Sequence, residues 1–182
     1  MFGNGPRELA DFRSDFAKTA DFGEVFERDM KPLYLLAFLL TANHQQAEQC
    51  FASTVEEAFK ENGVFKACAA SWLKRCLIKK AIQVVFSCST ESNEERSLWH
   101  NDPEQARLGD LVNALTGLKA SERFVYVMSV LERYSTKDCS LLLNYRMETV
   151  IHLRVRAACK LAAADPFALG KVARPFSRRE SA

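Results

Sequence analysis

Residues 115–161 read LTGLKASERFVYVMSVLERYSTKDCSLLLNYRMETVIHLRVRAACKL, and this stretch decides the fold of the chain. It predicts three short amphipathic helices, the last two joined by a tight turn. Ser135 and Asp138 have the spacing of a capping box at a helix start, and Asn144 suits the left-handed backbone of a turn. A longer helix is predicted from Arg146 to Leu161. This order is that of a helix-turn-helix, whose last helix can lie in a DNA major groove.

The last predicted helix has two faces. Val150, Leu153 and Ala157, continued by Leu161, follow the helical period and are expected to pack on the preceding helices. Six residues on the other face or near its ends are candidates for contacts with DNA bases or phosphates: Arg146, Glu148, Thr149, His152, Arg156 and Lys160. A plain three-helix bundle with a mixed, solvated face predicts the same pattern, so this stretch alone leaves both interpretations open.

Composition favours an all-α protein without a strong cationic field. The chain has 182 residues, of which 48% are hydrophobic, enough for one medium core or two small ones. Seven glycines, five prolines and the lack of alternating Val, Ile and Thr argue against strands. The net charge is only +2, from 25 basic and 23 acidic residues. Contact with DNA would therefore depend on local patches and on a partner that supplies affinity.

The chain divides into five segments. A polar lead (1–21) precedes a helical domain (22–85). Residues 86–109 are polar, acidic and turn-rich, which predicts a flexible linker without regular structure. The helix-turn-helix domain (110–162) and a basic tail (163–182) follow. We therefore expect an all-α protein with two small helical domains joined by a flexible linker.

No segment predicts membrane insertion, a metal site or a cofactor. Residues 1–21 lack a signal-peptide pattern, and the longest apolar run, residues 33–40, is too short to span a bilayer. The six cysteines show neither C-x-x-C spacing nor paired histidines at zinc spacing. We interpret them as reduced, structural thiols and expect a cytoplasmic protein.

Taken in order, these segments resemble the two conserved domains of the extracytoplasmic-function (ECF) sigma factors of bacterial RNA polymerase. Residues 22–59 resemble the polymerase-binding helices; there, residues 40–43 and 46–49 meet the family's L-T-G-D-x-x-D-A-E-D stretch. Residues 71–83, SWLKRCLIKKAIQ, resemble the helix that touches the promoter element nearest the start site. The C-terminal domain matches the family at Leu118, Glu122, Arg123, Ser135, Asp138, Leu143, Thr149, Val150, Arg156 and Ala157.

The resemblance implies RNA polymerase core, through its β′ coiled coil, and promoter DNA as partners, and it leaves an anti-sigma factor open as a third. It places polymerase contacts at Gln46, Glu48, Gln49 and Ser53. It places contacts with the proximal promoter element at Phe65, Trp72, Lys74, Arg75, Lys79 and Lys80. Core packing is the alternative for Trp72, and a solvated helix face is the alternative for the lysines.

Several departures from the family pattern bear on these contacts. Gln49 replaces an Asp and Ser53 replaces a Glu, which is expected to weaken polymerase docking rather than redirect it. The loop from 60 to 71 is short and rich in Ala and Cys, which argues against base capture there. Pro32 is expected to end or kink the first helix near Lys31 unless a new helix starts there.

Three classes of function compete for this chain: an enzyme, a sigma-type initiation factor and a sigma-derived interaction module. His44, His100 and His152 lie on separate segments, and no nucleophile–base pair or glycine-rich phosphate loop occurs, so we expect no enzyme and no catalytic residue. A sigma-type initiation factor is favoured because both domains and the linker are present. The alternative is a sigma-derived interaction or regulatory module that kept the fold but lost promoter opening.

Overall fold

The computed structural model describes residues 16–61, 63–87 and 103–164. Most of the predicted N-terminal lead, the middle of the linker and most of the basic tail lie outside these ranges. The chain forms two compact units, residues 1–95 and 96–182. Within the described residues every regular element is helical, as predicted, and the one extended pairing among them is an isolated bridge between Phe16 and Phe65.

The first unit contains three helices: α1 (Thr19–Thr41), α2 (His44–Lys60) and α3 (Ala69–Ser87), with a 3₁₀ turn at Lys66–Cys68. Each of the three helices packs on the other two. The α1–α2 junction is tight because Ala42 ends α1 in a left-handed conformation and Asn43 caps α2 by accepting from the Gln46 N–H at 3.0 Å. The apolar core of this unit includes Phe22, Leu33, Leu36, Leu40, Ala47, Leu73, Leu77 and Ile78.

Pro32 was expected to end or kink the first helix near Lys31, and it does not end it. Helix α1 runs through it without interruption to Thr41. An interior proline costs about 3 kcal/mol because it removes a backbone hydrogen bond and clashes with the preceding turn. Phe22 and Phe26 are buried before Pro32, and Leu33 and Leu36 are buried after it. Packing on both sides therefore offsets the local cost.

The second unit contains α4 (Pro103–Thr116), α5 (Ala120–Tyr126), α6 (Thr136–Leu143) and α7 (Met147–Ala164). A π-helical turn, Val127–Leu131, continues α5. Helix α7 packs on α5, and α4 and α6 also lie against it. The core therefore surrounds one face of α7 and includes Leu115, Phe124, Val125, Val127, Met128, Cys139, Leu143, Val150, Ala157 and Leu161.

Both ends of the segment predicted to be a linker are helical. Residues 86–109 were expected to lack regular structure, but α3 continues to Ser87 and α4 already begins at Pro103. Proline is well suited to the first helical position, since its missing N–H would have no partner there. Near the end of α4 Leu115 is buried, and the sequence pattern had assigned that residue to the next domain.

Candidate nucleic-acid and polymerase surfaces

The turn between α6 and α7 is held by local hydrogen bonds. Ser135 caps α6: its Oγ accepts from the Asp138 N–H at 3.0 Å and donates to Asp138 Oδ2 at 2.6 Å. Asn144 ends α6 with φ 54°, the left-handed conformation expected for it. The Tyr145 N–H donates to the Ser140 carbonyl at 3.1 Å, and Ser140 Oγ donates to the Tyr145 carbonyl at 2.5 Å. These bonds fix the direction in which α7 leaves the turn.

Helix α7 has the two faces predicted for it. Val150 and Ala157 are fully buried and Leu161 nearly so, while Leu153 is half-buried. All six candidate DNA contacts are exposed: Arg146, Glu148, Thr149, His152, Arg156 and Lys160. The same surface also carries apolar side chains, with Met147 49%, Ile151 43% and Val155 55% exposed. The outer face of α7 is therefore mixed in character and not uniformly cationic.

Two of the α7 cations share one buried carboxylate. Glu122, in the first turn of α5, is only 1% exposed. Lys160 Nζ donates to its Oε2 at 2.7 Å, and an Arg156 guanidinium nitrogen lies 3.3 Å from its Oε1. The Lys160 hydrogen bond holds the pKa of Glu122 below its usual value, against the opposing effect of burial. Sequence reasoning assigned no role to Glu122, because 38 residues separate it from Lys160.

A second buried charge lies next to Glu122. Arg123 is 6% exposed, and its Nη1 donates to the carbonyl oxygens of Thr116 and Leu118 at 3.2 and 3.0 Å. Burial lowers the pKa of Arg123 to about 10, so the guanidinium stays protonated at neutral pH. It therefore satisfies the carbonyls that end α4 and joins α4 to α5.

Phe65 and Trp72, the two aromatic residues predicted to contact the proximal promoter element, differ in their exposure to solvent. Phe65 is 48% exposed and stacks on Phe16, with ring centroids 4.8 Å apart. This pair is held by the adjacent backbone bond from Ala17 N–H to the Val64 carbonyl. Trp72 is half-buried and lies 5.5 Å from the buried ring of Phe22. Trp72 thus contributes to the core, whereas Phe65 presents an aromatic surface to solvent.

The cations predicted on α3 are not equivalent. Arg75 and Lys79 are exposed, whereas Lys74 and Lys80 are half-buried. Lys80 Nζ lies 2.5 Å from Glu57 Oε2, and this contact lowers the pKa of Glu57 and raises that of Lys80. Arg75 and Lys79 are therefore the better placed of the four for a contact outside the protein.

The predicted polymerase-binding residues lie on α2 in the first unit. Glu48 and Gln49 are exposed, and Gln46 and Ser53 are half-buried. Gln46 contributes its backbone N–H to the Asn43 cap, so its position near the helix start has a structural role as well. Helix α2 and the cations of α3 belong to the first unit, while all α7 candidates belong to the second.

No cluster that could bind a metal occurs among the described residues: nowhere in them do three His, Cys, Asp or Glu side chains converge suitably. Burial raises the pKa values of Cys50, Cys76 and Cys139 to about 11, which keeps these thiols protonated at neutral pH. Across 16–61, 63–87 and 103–164, no helix is both long and apolar enough to cross a membrane.

Comparison with known proteins supports the fold. The chain is similar to the sigma factor RpoE from Bartonella quintana, whose structure was solved in complex with the anti-sigma factor NepR. Sequence identity is 19% and the TM-score is 0.53, with 81% of this chain and 98% of that chain covered. No protein-family model and no curated protein matches the sequence. At this identity the likeness establishes a divergent sigma-like, all-α fold.

Proposed function

We propose that this protein is a sigma-type transcription initiation factor of the ECF kind, which binds RNA polymerase core and directs it to specific promoters. The observation that carries the proposal is the helix–turn–helix of α6 and α7. Its turn is fixed by the Ser135 cap and by the left-handed Asn144, and the candidate DNA contacts on α7 all face solvent. The likeness in fold to a sigma factor, which covers 81% of this chain, supports the same function.

In this proposal the start of α7 reads the upstream promoter element. Arg146, directly before α7, and Thr149 and His152, in its first two turns, are exposed. This is the part that reaches base edges in helix-turn-helix proteins. Later cations would contact phosphates, which position the helix without carrying sequence information. Glu148 lies among them, where it can accept a hydrogen bond from a cytosine amino group or repel a phosphate.

The first unit would bind the polymerase and the proximal promoter element. Glu48 and Gln49 lie exposed on α2, and Arg75 and Lys79 lie exposed on α3. Phe65 is 48% exposed, so its ring can contact the proximal promoter element. Phosphate contacts from the two cations would add sequence-independent affinity that decreases as salt increases.

An interaction module without promoter opening is the second candidate. The apolar residues Met147, Ile151 and Val155 favour this candidate. They are spaced four residues apart on the exposed face of α7, where they could contact another protein. The sigma factor of similar fold was solved with an anti-sigma factor bound. An anti-sigma partner is compatible with both candidates and therefore does not distinguish them.

Core binding and promoter opening, measured together, separate the two functions. Purified protein is mixed with core polymerase and promoter fragments, and complexes are probed for unpaired thymines with permanganate. A sigma factor gives a core complex that melts DNA at defined positions. A module gives a core complex without melting, and the absence of both core binding and melting would contradict the proposal.

A restored acidic set on α2 tests the polymerase contact separately. Gln49→Asp with Ser53→Glu places two carboxylates beside Glu48, and carboxylates that face a basic partner speed association. We expect the double variant to bind core polymerase more tightly, mainly through a faster association rate. Lys31→Glu, at an exposed position of α1, changes the net charge by the same amount and in the same direction, and it is the control for overall charge. Unchanged affinity after both acids are restored would show that α2 does not face the polymerase.

A further inference from the structure

The two cations near the end of α7 are held differently by Glu122. Lys160 makes a direct hydrogen bond to Oε2 at 2.7 Å. Arg156 lies 3.3 Å from Oε1, yet this buried oxygen accepts no hydrogen bond from any described residue. The Arg156 side chain is 60% exposed and that of Lys160 is 46% exposed. Lys160 is thus hydrogen-bonded to the carboxylate, while Arg156 forms an ion pair with it that lacks a hydrogen bond.

This arrangement has an electrostatic consequence. A buried carboxylate strongly requires a cation, because an unpaired charge in the protein interior is costly. Lys160 meets that requirement, and so Arg156 remains available to an external anion. If Lys160 were absent, Arg156 is the next cation, one helical turn away, and Oε1 has an open acceptor position for it.

We propose that Glu122 is a positioning residue that divides the two cations: it holds Lys160 in an internal hydrogen bond and thereby leaves Arg156 as the residue that contacts DNA phosphate. The inference rests on the proposed DNA-binding function of α7. It assigns different roles to two side chains that the sequence pattern treats as equivalent phosphate contacts. It also gives Glu122, which no solvent or DNA atom can readily reach, an effect on DNA affinity.

The proposal predicts an indirect effect of Lys160. Lys160→Met keeps the apolar stem of the side chain but removes its charge. Glu122 should then bind Arg156, and DNA should lose a phosphate contact that Lys160 never made. Glu122→Met in the same chain removes the carboxylate and should release Arg156 again. A purely structural role for Lys160 would not give this restoration of the DNA contact.

The experiment uses the complex of the protein with core polymerase and measures the slope of log affinity against log salt on a promoter duplex and on a scrambled duplex. Each phosphate contact contributes about 0.9 to this slope. Arg156→Ala and Lys160→Met should each flatten the slope by about 0.9, and Glu122→Met with Lys160→Met should return it to the parental value. Adding Arg156→Ala to that double variant should flatten it again. Far-UV circular dichroism checks the fold of each variant.

Each outcome decides between interpretations. A double variant that keeps the flat slope of Lys160→Met would show that Lys160 itself contacts phosphate, which overturns the proposal. A Lys160→Met slope equal to that of the parent would overturn it as well. If Lys160→Met does not fold, the double variant and Arg156→Ala decide, because neither carries an unpaired buried charge. A complex of the parent with core polymerase that binds the promoter duplex no better than core polymerase alone would overturn both the proposed function and this inference.

Discussion

The two units each contain a lysine–glutamate pair of nearly the same length, but the pairs lie in different environments. In the first unit Lys80 and Glu57 are 2.5 Å apart, and the Glu57 side chain is 46% exposed. In the second unit Lys160 and Glu122 are 2.7 Å apart, and the Glu122 side chain is 1% exposed. An exposed pair typically contributes about 0.2–1 kcal/mol. Leaving a buried carboxylate unpaired costs several times more.

The difference shows that burial of the acceptor, and not contact distance, decides how a cation on a surface helix can be used. Lys80 can leave Glu57 at little cost, because water solvates both groups. Separating Lys160 from Glu122 costs more free energy, because the Glu122 carboxylate is buried.

Removing both cations from Glu122 should have the largest effect. Arg156→Gln with Lys160→Met leaves a buried carboxylate without a cation, and we expect the second unit to lose about 3 kcal/mol of stability. Hydrogen exchange of the α5 and α7 amides measures this loss separately from the first unit. Adding Glu122→Met should recover most of it. Equal exchange in the parent and the double variant would show that Glu122 does not depend on these cations.

Lowering the pH should destabilise the second unit more than the first. The pKa of Glu122 is below its usual value of 4.5, so its ionised form stabilises the fold above that pH, and the stabilisation is lost as pH falls below it. Glu57 also has a lowered pKa, but solvent reduces its contribution. Between pH 5 and pH 3, about the range in which carboxylates titrate, exchange should increase more in α5 and α7 than in α2 and α3. Glu122→Gln should remove that excess, and an acid response that is equal in both units would contradict this assignment.

Substitutions at two helix ends should change stability by an intermediate amount. Ala42 and Asn144 both end helices in the left-handed conformation, with φ values of 56° and 54°. Alanine is strained there by about 1–2 kcal/mol, whereas asparagine and glycine tolerate the conformation. Ala42→Gly should therefore stabilise the first unit by about 1 kcal/mol, and Asn144→Ala should destabilise the second by a similar amount. Thermal unfolding of both variants, with Asn144→Gly as the near-neutral control, tests the pair.

The smallest effect is expected at the exposed pair. Glu57→Gln should change the stability of the first unit by less than about 1 kcal/mol. The matched Glu122→Gln in the second unit should cost more, because Lys160 loses a charged partner and a buried amide replaces it. Urea denaturation of the two variants compares them directly. A larger loss from Glu57→Gln would reverse the ranking by burial.

Local signals in the sequence predicted the elements that local chemistry controls. Ser135, Asp138 and Asn144 were assigned to a cap and a turn because their side chains and backbone preferences act within a few residues, and the structure confirms those positions. Pro32 does not end α1, which was one of the two outcomes expected for it, because packing on other helices sustains α1 through it. Glu122 could not be assigned a partner, because only the tertiary packing of α5 on α7 brings it to Lys160.

Mapping of transcription start sites tests the central claim most directly. Core polymerase with the parent protein, or with His152→Ala, transcribes fragmented genomic DNA, and the RNA 5′ ends are sequenced. We expect the parent to produce discrete starts that share an upstream element, and His152→Ala to change that element by about 1–3 kcal/mol of discrimination at one position. Starts no different from those of core polymerase alone would contradict the proposal that this protein directs initiation.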